Sequence, residues 1–534
     1  MGVYLNPDGM NFKSAYEADV FVDKSDIIRL TNHRINNGNN RFVYVSRPRR
    51  FGKSYIADML CAYYSKESVC SDIFDKLNIS RDTKYKDYKR KYNVIYFDMH
   101  TMLSAARNNI DTLQEILTER LKAELKLIYP DFDADTNDLT FLFSTLYAVK
   151  KEQFIFIIDE WDCVFRVIET DSQKEMYLNF FRSLMKGQSY VALAYMTGIL
   201  PVKQYGRESI LNMFYESSMV HPGEFAEYVG FTSTDVQHLC KKYSLEFDKM
   251  KYWYDGYLLG NTEMYCPNSV VSAIANKQYR SYWTQTTAYE NLADYIARND
   301  GGLHDDISTL LTGQRISVKP NMFSNDMFKF RTKNDILVLL IHLGYLACIP
   351  TNTDGWDETY EAFIPNNEIS MKFADSSEQT GLYEDTIRRN EKSMALLKAT
   401  LQNNADIVAK MIDEAHSVID PKHYNTEEAL RSVIREAYIM AHNFYDLHTE
   451  LPAGKGFADV AFIPKPKTDF NRFPPILVEL KYNQTAQTAI DQINDREYQK
   501  FFESYSHVIL VGISYKKNTK TKKHECIIKK HIFQ

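Results

Sequence analysis

An α/β protein of several domains is what this sequence predicts. β-branched and aromatic runs alternate with helical periodicities through residues 41–196, as in a mostly parallel sheet covered by helices. A second series of two strands, a helix and a strand fills residues 457–513. The length, 534 residues, exceeds one ordinary hydrophobic core and sets a prior of about two to four domains.

Taken in order, Arg41 to Ser46 alternate as a strand does, and Tyr55 to Tyr64 carry apolar residues at helical spacing. Asn93 to Met99 reads as a strand and Leu113 to Ile128 as a helix. Phe154 to Ile158 is an unbroken apolar run ending in acids, the form of a strand buried on both faces, and Tyr190 to Met196 is a further strand. From about Gly206 the pattern changes to Tyr, Trp and short helical segments, which predicts an all-helical or winged domain reaching about Pro350. Ile336 to Ile349, the most apolar window, reads as a buried helix and is too short to span a bilayer. Thr351 to Asp357 reads as a loop, and Gly381–Ser417 and Thr426–Tyr445 as two long helices. Strands Phe457–Ile463 and Ile476–Leu480, a helix Ala486–Glu503 and a strand His507–Ile513 follow. The expected division is 1–205, 206–350, a linker 351–385, and 386–534. No internal repeat appears.

Apolar residues make up 44% and charged residues 25%, an ordinary globular balance. The net charge of −6 gives no global argument for nucleic-acid binding, so any such contact must come from local basic patches. Arg47, Arg49, Arg50 and Lys53 form one, and Lys516 to Lys530 another, which reads equally well as a solvated hairpin. The seven cysteines are scattered without a CxxC pair, so a reducing cytosol is the expected home, with no disulfide framework or zinc site. No basic-then-apolar leader stands at the N-terminus, and no membrane partner is expected.

The run Arg47, Pro48, Arg49, Arg50, Phe51, Gly52, Lys53, Ser54 approximates a Walker A loop between a strand and a helix, with Arg47 where the pattern has its first Gly. Backbone N–H groups at a helix N-terminus bind phosphate oxygens. Lys53 would reach the terminal phosphates of ATP and Ser54 would hold Mg²⁺. A basic turn before a helix is the plainer alternative. Asp159 and Glu160, at the end of the apolar strand, are placed as a Walker B pair: Asp159 for Mg²⁺, Glu160 to polarise the attacking water. Thr197, at the end of the next strand, is placed to sense the γ-phosphate, although a simple strand-end turn explains it equally well. Arg166, Arg182 and Arg207 are arginine-finger candidates among which the sequence does not choose.

Near the C-terminus, Asp459 lies in one strand and Glu479 and Lys481 end the next. Residues i and i+2 of a strand share a face, so Glu479 and Lys481 project together, and hairpin pairing can bring Asp459 beside them. Two carboxylates suit Mg²⁺, with Mn²⁺ as an alternative, and a lysine can orient water or stabilise charge at a phosphate. That is phosphodiester chemistry. A salt-bridged surface hairpin accounts for the same spacing. Glu427, Glu428 and Glu450 are further candidate acids, and Gln492 a candidate substrate contact.

At this point the chain resembles the predicted AAA-ATPase-like proteins of bacteria that carry a C-terminal PD-(D/E)XK nuclease-superfamily domain. The matching strings include Phe21 to Lys24, Ser46 to Ser54, Ile158 to Asp162, Thr197 to Pro201, Leu211 to Phe214, Trp253 to Tyr257, Ile364 to Asn366, Gly454 to Val460 and Val478 to Tyr482. The resemblance implies a P-loop NTPase domain of a STAND-like or archaeal-ATPase-like branch, a helical or winged lid, and a restriction-endonuclease-like C-terminal domain. It implies that Asp459, Glu479 and Lys481 form the nuclease motif. It favours Glu427 as the helix acid, and it accounts for Arg47, because the family itself carries Arg there.

These readings converge on an ATP-regulated nuclease acting on nucleic acid, with DNA favoured over RNA and a role in defence against foreign DNA suggested by the resemblance. A nucleotide-dependent switch or scaffold, whose C-terminal domain binds without cutting, is the competing class. A non-hydrolysing sensor is weaker, because it needs no Glu160. A homo-oligomer is allowed, since an arginine finger in trans would require neighbours.

Overall fold

The computed structural model describes residues 2–130, 138–202, 211–283, 302–323, 332–352, 358–379, 382–417, 427–465, 470, 472–516 and 523–533. The chain forms two compact units, Met1–Leu303 with Arg315–Phe373, and His304–Gln314 with Ala374–Gln534.

In the first unit, β1 (Phe42–Ser46), β2 (Asn93–Asp98), β3 (Phe154–Asp159), β4 (Val191–Gly198) and β5 (Tyr215–Ser217) form an all-parallel sheet in the order β2-β3-β4-β1-β5. Every residue of β1, β3 and β4 is buried, as near-continuous apolar runs require when helices cover both faces. Phe42 and Tyr44 enter the layer of helices Ile110–Ile128 and Asp171–Met185, while Val43 and Val45 enter that of α1 (Lys53–Tyr64). β4 separates β1 from β3, so the C-terminal ends of these strands share the edge where open α/β sheets bind ligands.

The middle region carries small sheets as well as helices. β6 (Phe231–Thr232), β7 (Tyr257–Leu259) and β8 (Thr262–Tyr265) form an antiparallel sheet beside helices Ser233–Tyr243 and Pro267–Asn276. Gly256 sits at φ 111°, and a Cβ there would lie 1.9 Å from the Pro365 carbonyl oxygen. Asn366 Nδ2 donates to the Asp255 carbonyl at 2.8 Å. Two strings separated by more than a hundred residues therefore meet, and the glycine is required by close approach.

β9 (Ile316–Val318), β10 (Ala347–Asn352) and β11 (Thr359–Phe363) form a second small antiparallel sheet. The apolar window expected as one helix is α2 (Lys333–Leu343) followed by β10, because Gly344 ends the helix at φ 83°. His342 is buried in α2, and burial lowers its pKa to about 3, with His221 adding to the shift. The folded pKa lies below the unfolded value of 6.5, so stability is full above that value and lost as pH falls towards 3. From about pH 7.5 to about pH 5, His342 is expected to cost about 2 kcal/mol. Denaturant melts of the wild type and His342→Leu check this; equal pH dependence in both would refute it.

In the second unit, β12 (Tyr445–Ala453), β13 (Gly456–Pro464), β14 (Ile476–Tyr482), β15 (His507–Lys516) and β16 (Lys523–Ile532) lie in sequence order. Only β14 and β15 are parallel. A parallel neighbour needs a crossover, so the link between them carries a helix, here designated α6 (Ala486–Asp495). α3 (Leu382–Leu401), α4 (Ala405–Ser417) and α5 (Glu427–Ala437) pack against one face of the sheet, and α6 packs against the other. The helix expected over 381–417 is two helices: Asn403 adopts φ 56°, and the Asn404 side chain accepts from the Ile407 N–H at 3.3 Å, starting α4. The helix expected to run to Tyr445 stops at Ala437, and a 3₁₀ turn, Ile439–Asn443, leads into β12. The basic patch begins at Lys516, the end of β15, and resumes on β16 from Lys523, with 517–522 outside the described residues. Among the described residues no helix is long and apolar enough to cross a membrane.

Candidate functional site

Two groups of side chains stand out, one in each unit. In the first, Gly52 adopts φ 88° and α1 begins at Lys53, so the first-turn N–H groups have no intrahelical carbonyl to bond. Lys53 is 5% exposed, and its Nζ donates to the carbonyls of Arg47 and Pro48 at 3.0 and 2.9 Å. Burial lowers its pKa; Asp159, Asp162 and Glu160 oppose that.

Asp159 ends β3, where burial raises its pKa and the Ser54 and Thr197 hydroxyls lower it by donating to the carboxylate. Thr197 Oγ1 also accepts the Glu160 N–H at 3.3 Å, so the residue at the tip of β4 joins both acids. Glu160 stands half-buried at φ 49°. Lys53, Ser54, Asp159, Glu160 and Thr197 thus come together.

Arg47 goes elsewhere. Its N–H continues the ladder to the Gly198 carbonyl at 3.1 Å, and its buried guanidinium donates to the carbonyls of Ser46 and Ser217 and to the Ser217 hydroxyl. That accounts physically for Arg in place of Gly: the backbone here keeps φ negative and the side chain turns into the core towards β5. Pro48 and Phe51 are buried and Arg50 is exposed, with φ 67°. Arg49 is half-buried; burial lowers its pKa, the Arg166 charge adds to this, and Glu160 and Asp162 oppose it. Of the finger candidates, Arg166 is thereby near the acids, Arg182 is exposed on helix Asp171–Met185, and Arg207 lies outside the described residues.

Sequence reasoning missed two features. Asp162 accepts the N–H groups of Ile199 and Leu200 at 2.8 and 2.9 Å, tying the segment after β4 to the acid-bearing turn. Beside Gly52 there is also a mainly apolar cavity of about 220 Å³, lined by Phe21, Val22, Tyr55, Tyr228 and Phe231 among others. The string Phe21 to Lys24 hinted at this, and Lys24 fixes it by pairing with Asp235 at 2.6 Å.

In the second unit, the β13–β14 ladder pairs Val460 with Val478, and one step further Asp459 comes beside Glu479. Asp459 Oδ2 accepts the Leu480 N–H at 2.9 Å. Lys481 Nζ donates to Glu479 Oε1 at 3.1 Å, and Gln492 of α6 donates to the same oxygen. Glu479 is 2% exposed, and its Oε2 is buried with no hydrogen-bond partner among the described residues. Burial first, then the Asp459 carboxylate, pushes Glu479 up to about 7, against the pull of Lys481.

Arg431 was not foreseen. Its guanidinium donates to Asp459 Oδ1 and to Glu450 Oε1, both at 2.8 Å. It lies four residues after Glu427 on α5, a spacing that shares one helix face and could have signalled it. Glu427 begins α5, but its side chain lies outside the described residues; Glu428 is exposed. Glu450 adopts φ 53° on β12, in register opposite Asp459. Among the described residues, no group of three His, Cys, Asp or Glu side chains able to hold a metal assembles.

A phosphate-type loop between β1 and α1, with acids ending a strand two places away, defines a P-loop ATPase-type domain; paired acids and a lysine on adjoining strands define a nuclease-type sheet. The family comparisons agree. Residues 10–207 match the family described as Predicted AAA-ATPase, and residues 425–525 match the PD-(D/E)XK nuclease superfamily, so the chain carries both kinds of domain. A curated relative, an uncharacterized protein in the vnfD 5′ region of Azotobacter chroococcum mcd 1, is 21% identical over 340 residues. That match covers 61% of this chain and 61% of the relative's length. Similar solved structures include the Walker-type ATPase of Pyrococcus abyssi, at 12% identity and a TM-score of 0.35, covering 66% of this chain and 94% of that one. Another is the ORC2 protein of Aeropyrum pernix in ADPNP–ADP complexes, at 13% identity and a TM-score of 0.33, covering 70% and 96%.

Proposed function

We propose that the chain is an ATP-binding and ATP-hydrolysing protein whose C-terminal unit is a Mg²⁺-dependent nuclease. The observation that carries the reading is the buried, unpartnered Glu479 Oε2 beside Asp459, with Lys481 adjoining. A buried carboxylate oxygen without a donor fits a cation ligand. Asp459 and Glu479 would hold Mg²⁺, or Mn²⁺, with Glu427 as a further acid. When bound, the ion supplies Lewis acidity at the phosphodiester and a more acidic water. Gln492 keeps Glu479 in place, and Lys481 sets an ammonium charge where the phosphate charge develops.

In the first unit the amides of Gly52, Lys53 and Ser54 would bind the phosphates, with Pro48 to Phe51 forming the wall of the loop and Arg47 bracing it from behind. Ser54 and Asp159 would hold Mg²⁺, Glu160 would orient the attacking water, and Thr197 would report the γ-phosphate to both acids. The cavity beside Gly52 accepts the base. Residues 206–350 would serve as the lid, followed by a linker to about 385. ATP binding would license cutting; a role in defence against foreign DNA comes from the resemblance, and a cytoplasmic setting from the scattered cysteines.

The test is phosphate release and cleavage of DNA and RNA by the full chain, with ATP and Mg²⁺. Cutting that needs both supports the proposal; none on any nucleic acid sinks it. A second reading, a binding module that does not cut, is favoured by one observation: Lys481 and Arg431 already pair with Glu479 and Asp459. Calorimetric titration with Mn²⁺ separates the two, since a pure module binds none at this place.

A further inference from the structure

Arg431 takes no part in the chemistry proposed above, yet it bonds to one of the two acids on which that chemistry depends. Both oxygens of Asp459 are engaged: Oδ2 accepts the Leu480 N–H at 2.9 Å, and Oδ1 accepts Arg431 Nη2 at 2.8 Å. The first contact is to backbone and fixes the carboxylate in the sheet. The second puts a positive charge on the oxygen that remains for a metal ion. Like charges repel, so the guanidinium and a cation shared by Asp459 and Glu479 compete for this oxygen.

The guanidinium has a second hold. Its Nη1 donates to Glu450 Oε1 at 2.8 Å. Glu450 is at φ 53°, a left-handed conformation rare for an L side chain, and such strain gathers at functional sites. Leu430, Val433 and Ile434 are buried, so α5, which carries Arg431, is seated in the core. An Arg431 that gave up Asp459 would therefore stay beside the acids, tied to Glu450. Glu450 is exposed and Arg431 partly so, within reach of a nucleic-acid strand.

The third donor decides what Arg431 takes instead. Its Nε is buried and has no hydrogen-bond partner among the described residues. Nε and Nη2 lie on one edge of the planar group and form a fork that grips two oxygens side by side. Asp459 fills one prong only, because its other oxygen is held by Leu480. An ion pair built for stability alone would fill both; this one leaves a buried donor orphaned, which is costly. A phosphate carries two free oxygens on one atom and fills both prongs. Resting on the nuclease reading above, we infer that Arg431 exchanges Asp459 for a substrate phosphate. Before the metal ion binds, it neutralises Asp459; afterwards it grips the phosphodiester through Nε and Nη2 while Glu450 holds Nη1.

The experiment uses the full chain as wild type, Arg431→Gln and Arg431→Lys. Calorimetry measures Mn²⁺ binding without nucleic acid. Fluorescence anisotropy in Ca²⁺, over a range of salt, measures binding of labelled DNA, single-stranded and duplex. Arg431→Gln is expected to bind Mn²⁺ about tenfold tighter, because the competing charge is gone. It is expected to bind DNA about tenfold more weakly, with the salt slope reduced by about one. Arg431→Lys keeps the charge and loses the fork, so its Mn²⁺ affinity should stay at the wild-type level while its DNA affinity falls. A purely structural bridge would not move the two affinities in opposite directions. The inference is overturned, with the nuclease reading intact, if Arg431→Gln binds Mn²⁺ no tighter than the wild type or binds DNA equally well. A wild type that binds Mn²⁺ but neither form of DNA also overturns it. If a thermal melt shows Arg431→Gln unfolded, Arg431→Lys decides: wild-type DNA affinity in that variant overturns the inference. If the wild type binds no more Mn²⁺ than Asp459→Ala does, the nuclease reading falls and this inference with it.

Discussion

Lys53→Ala is expected to weaken ATP binding by about a hundredfold and to abolish phosphate release. Burial disfavours the ammonium ion at this place, and Asp159, Asp162 and Glu160 support it. Such an arrangement is costly unless an anion is to be bound, because a buried cation requires partners with good geometry. At present its hydrogens go to two carbonyls of its own loop. A triphosphate would offer those hydrogens a charged acceptor and form a stronger bond. Alanine removes the charge and leaves the Arg47 and Pro48 carbonyls to find other donors, so a stability loss of about 1–2 kcal/mol should accompany the loss of binding. Lys53→Arg should fail as well, since a planar guanidinium does not fit a site shaped for a compact ammonium. Titration with a fluorescent ATP analogue, a phosphate-release assay and a thermal melt give the three readouts. Tight ATP binding by Lys53→Ala would remove the loop from any nucleotide role.

Legibility followed how local the physics is. The loop from Arg47 to Ser54 could be read because strand, turn and helix are adjacent in sequence, and β3 because a strand covered on both faces must be an unbroken apolar run. Glu479 and Lys481 could be paired by strand periodicity alone. Features set by tertiary contact could not be read. Nothing near Arg47 says that its guanidinium turns towards Ser217, 170 residues away. Nothing near Asp162 says that it holds the backbone after β4. The boundaries that differed from expectation did so at single residues: Gly344 cut one apolar run into a helix and a strand, and Asn403 cut one amphipathic run into two helices. β12 was legible in principle, since Tyr445, Leu447, Leu451 and Ala453 alternate as in a half-buried strand, but its polar centre, His448 to Glu450, interrupts the apolar face. Arg431 sits between these cases: its spacing from Glu427 was visible, but its partner, Asp459, lies on another element.

Glu479→Gln is expected to end metal-dependent cutting, with a loss on the order of a thousandfold or more, because it removes a charged ligand and leaves the fold intact. Stability is what separates a catalytic carboxylate from a structural one here. The folded pKa of about 7 is above the unfolded value of 4.5, so Glu479 contributes stability at low pH that is lost as pH rises from 4.5 through 7. Above that window the ionised group costs up to about 3 kcal/mol, a figure that already includes what Lys481 returns. Glutamine removes the cost but leaves the Lys481 ammonium, 8% exposed, without its carboxylate, so the single variant should melt close to the wild type. Glu479→Gln combined with Lys481→Met removes both charges, and replacing a buried ion pair by neutral groups of similar size typically gains about 1–3 kcal/mol. The double variant should therefore be inactive and more stable at about pH 8, the pattern of a pair retained for chemistry at a cost in stability. Paired cleavage assays and denaturant melts decide it. A double variant that still cuts would move catalysis away from these strands, and one that loses several kcal/mol would show the pair to be a structural bridge.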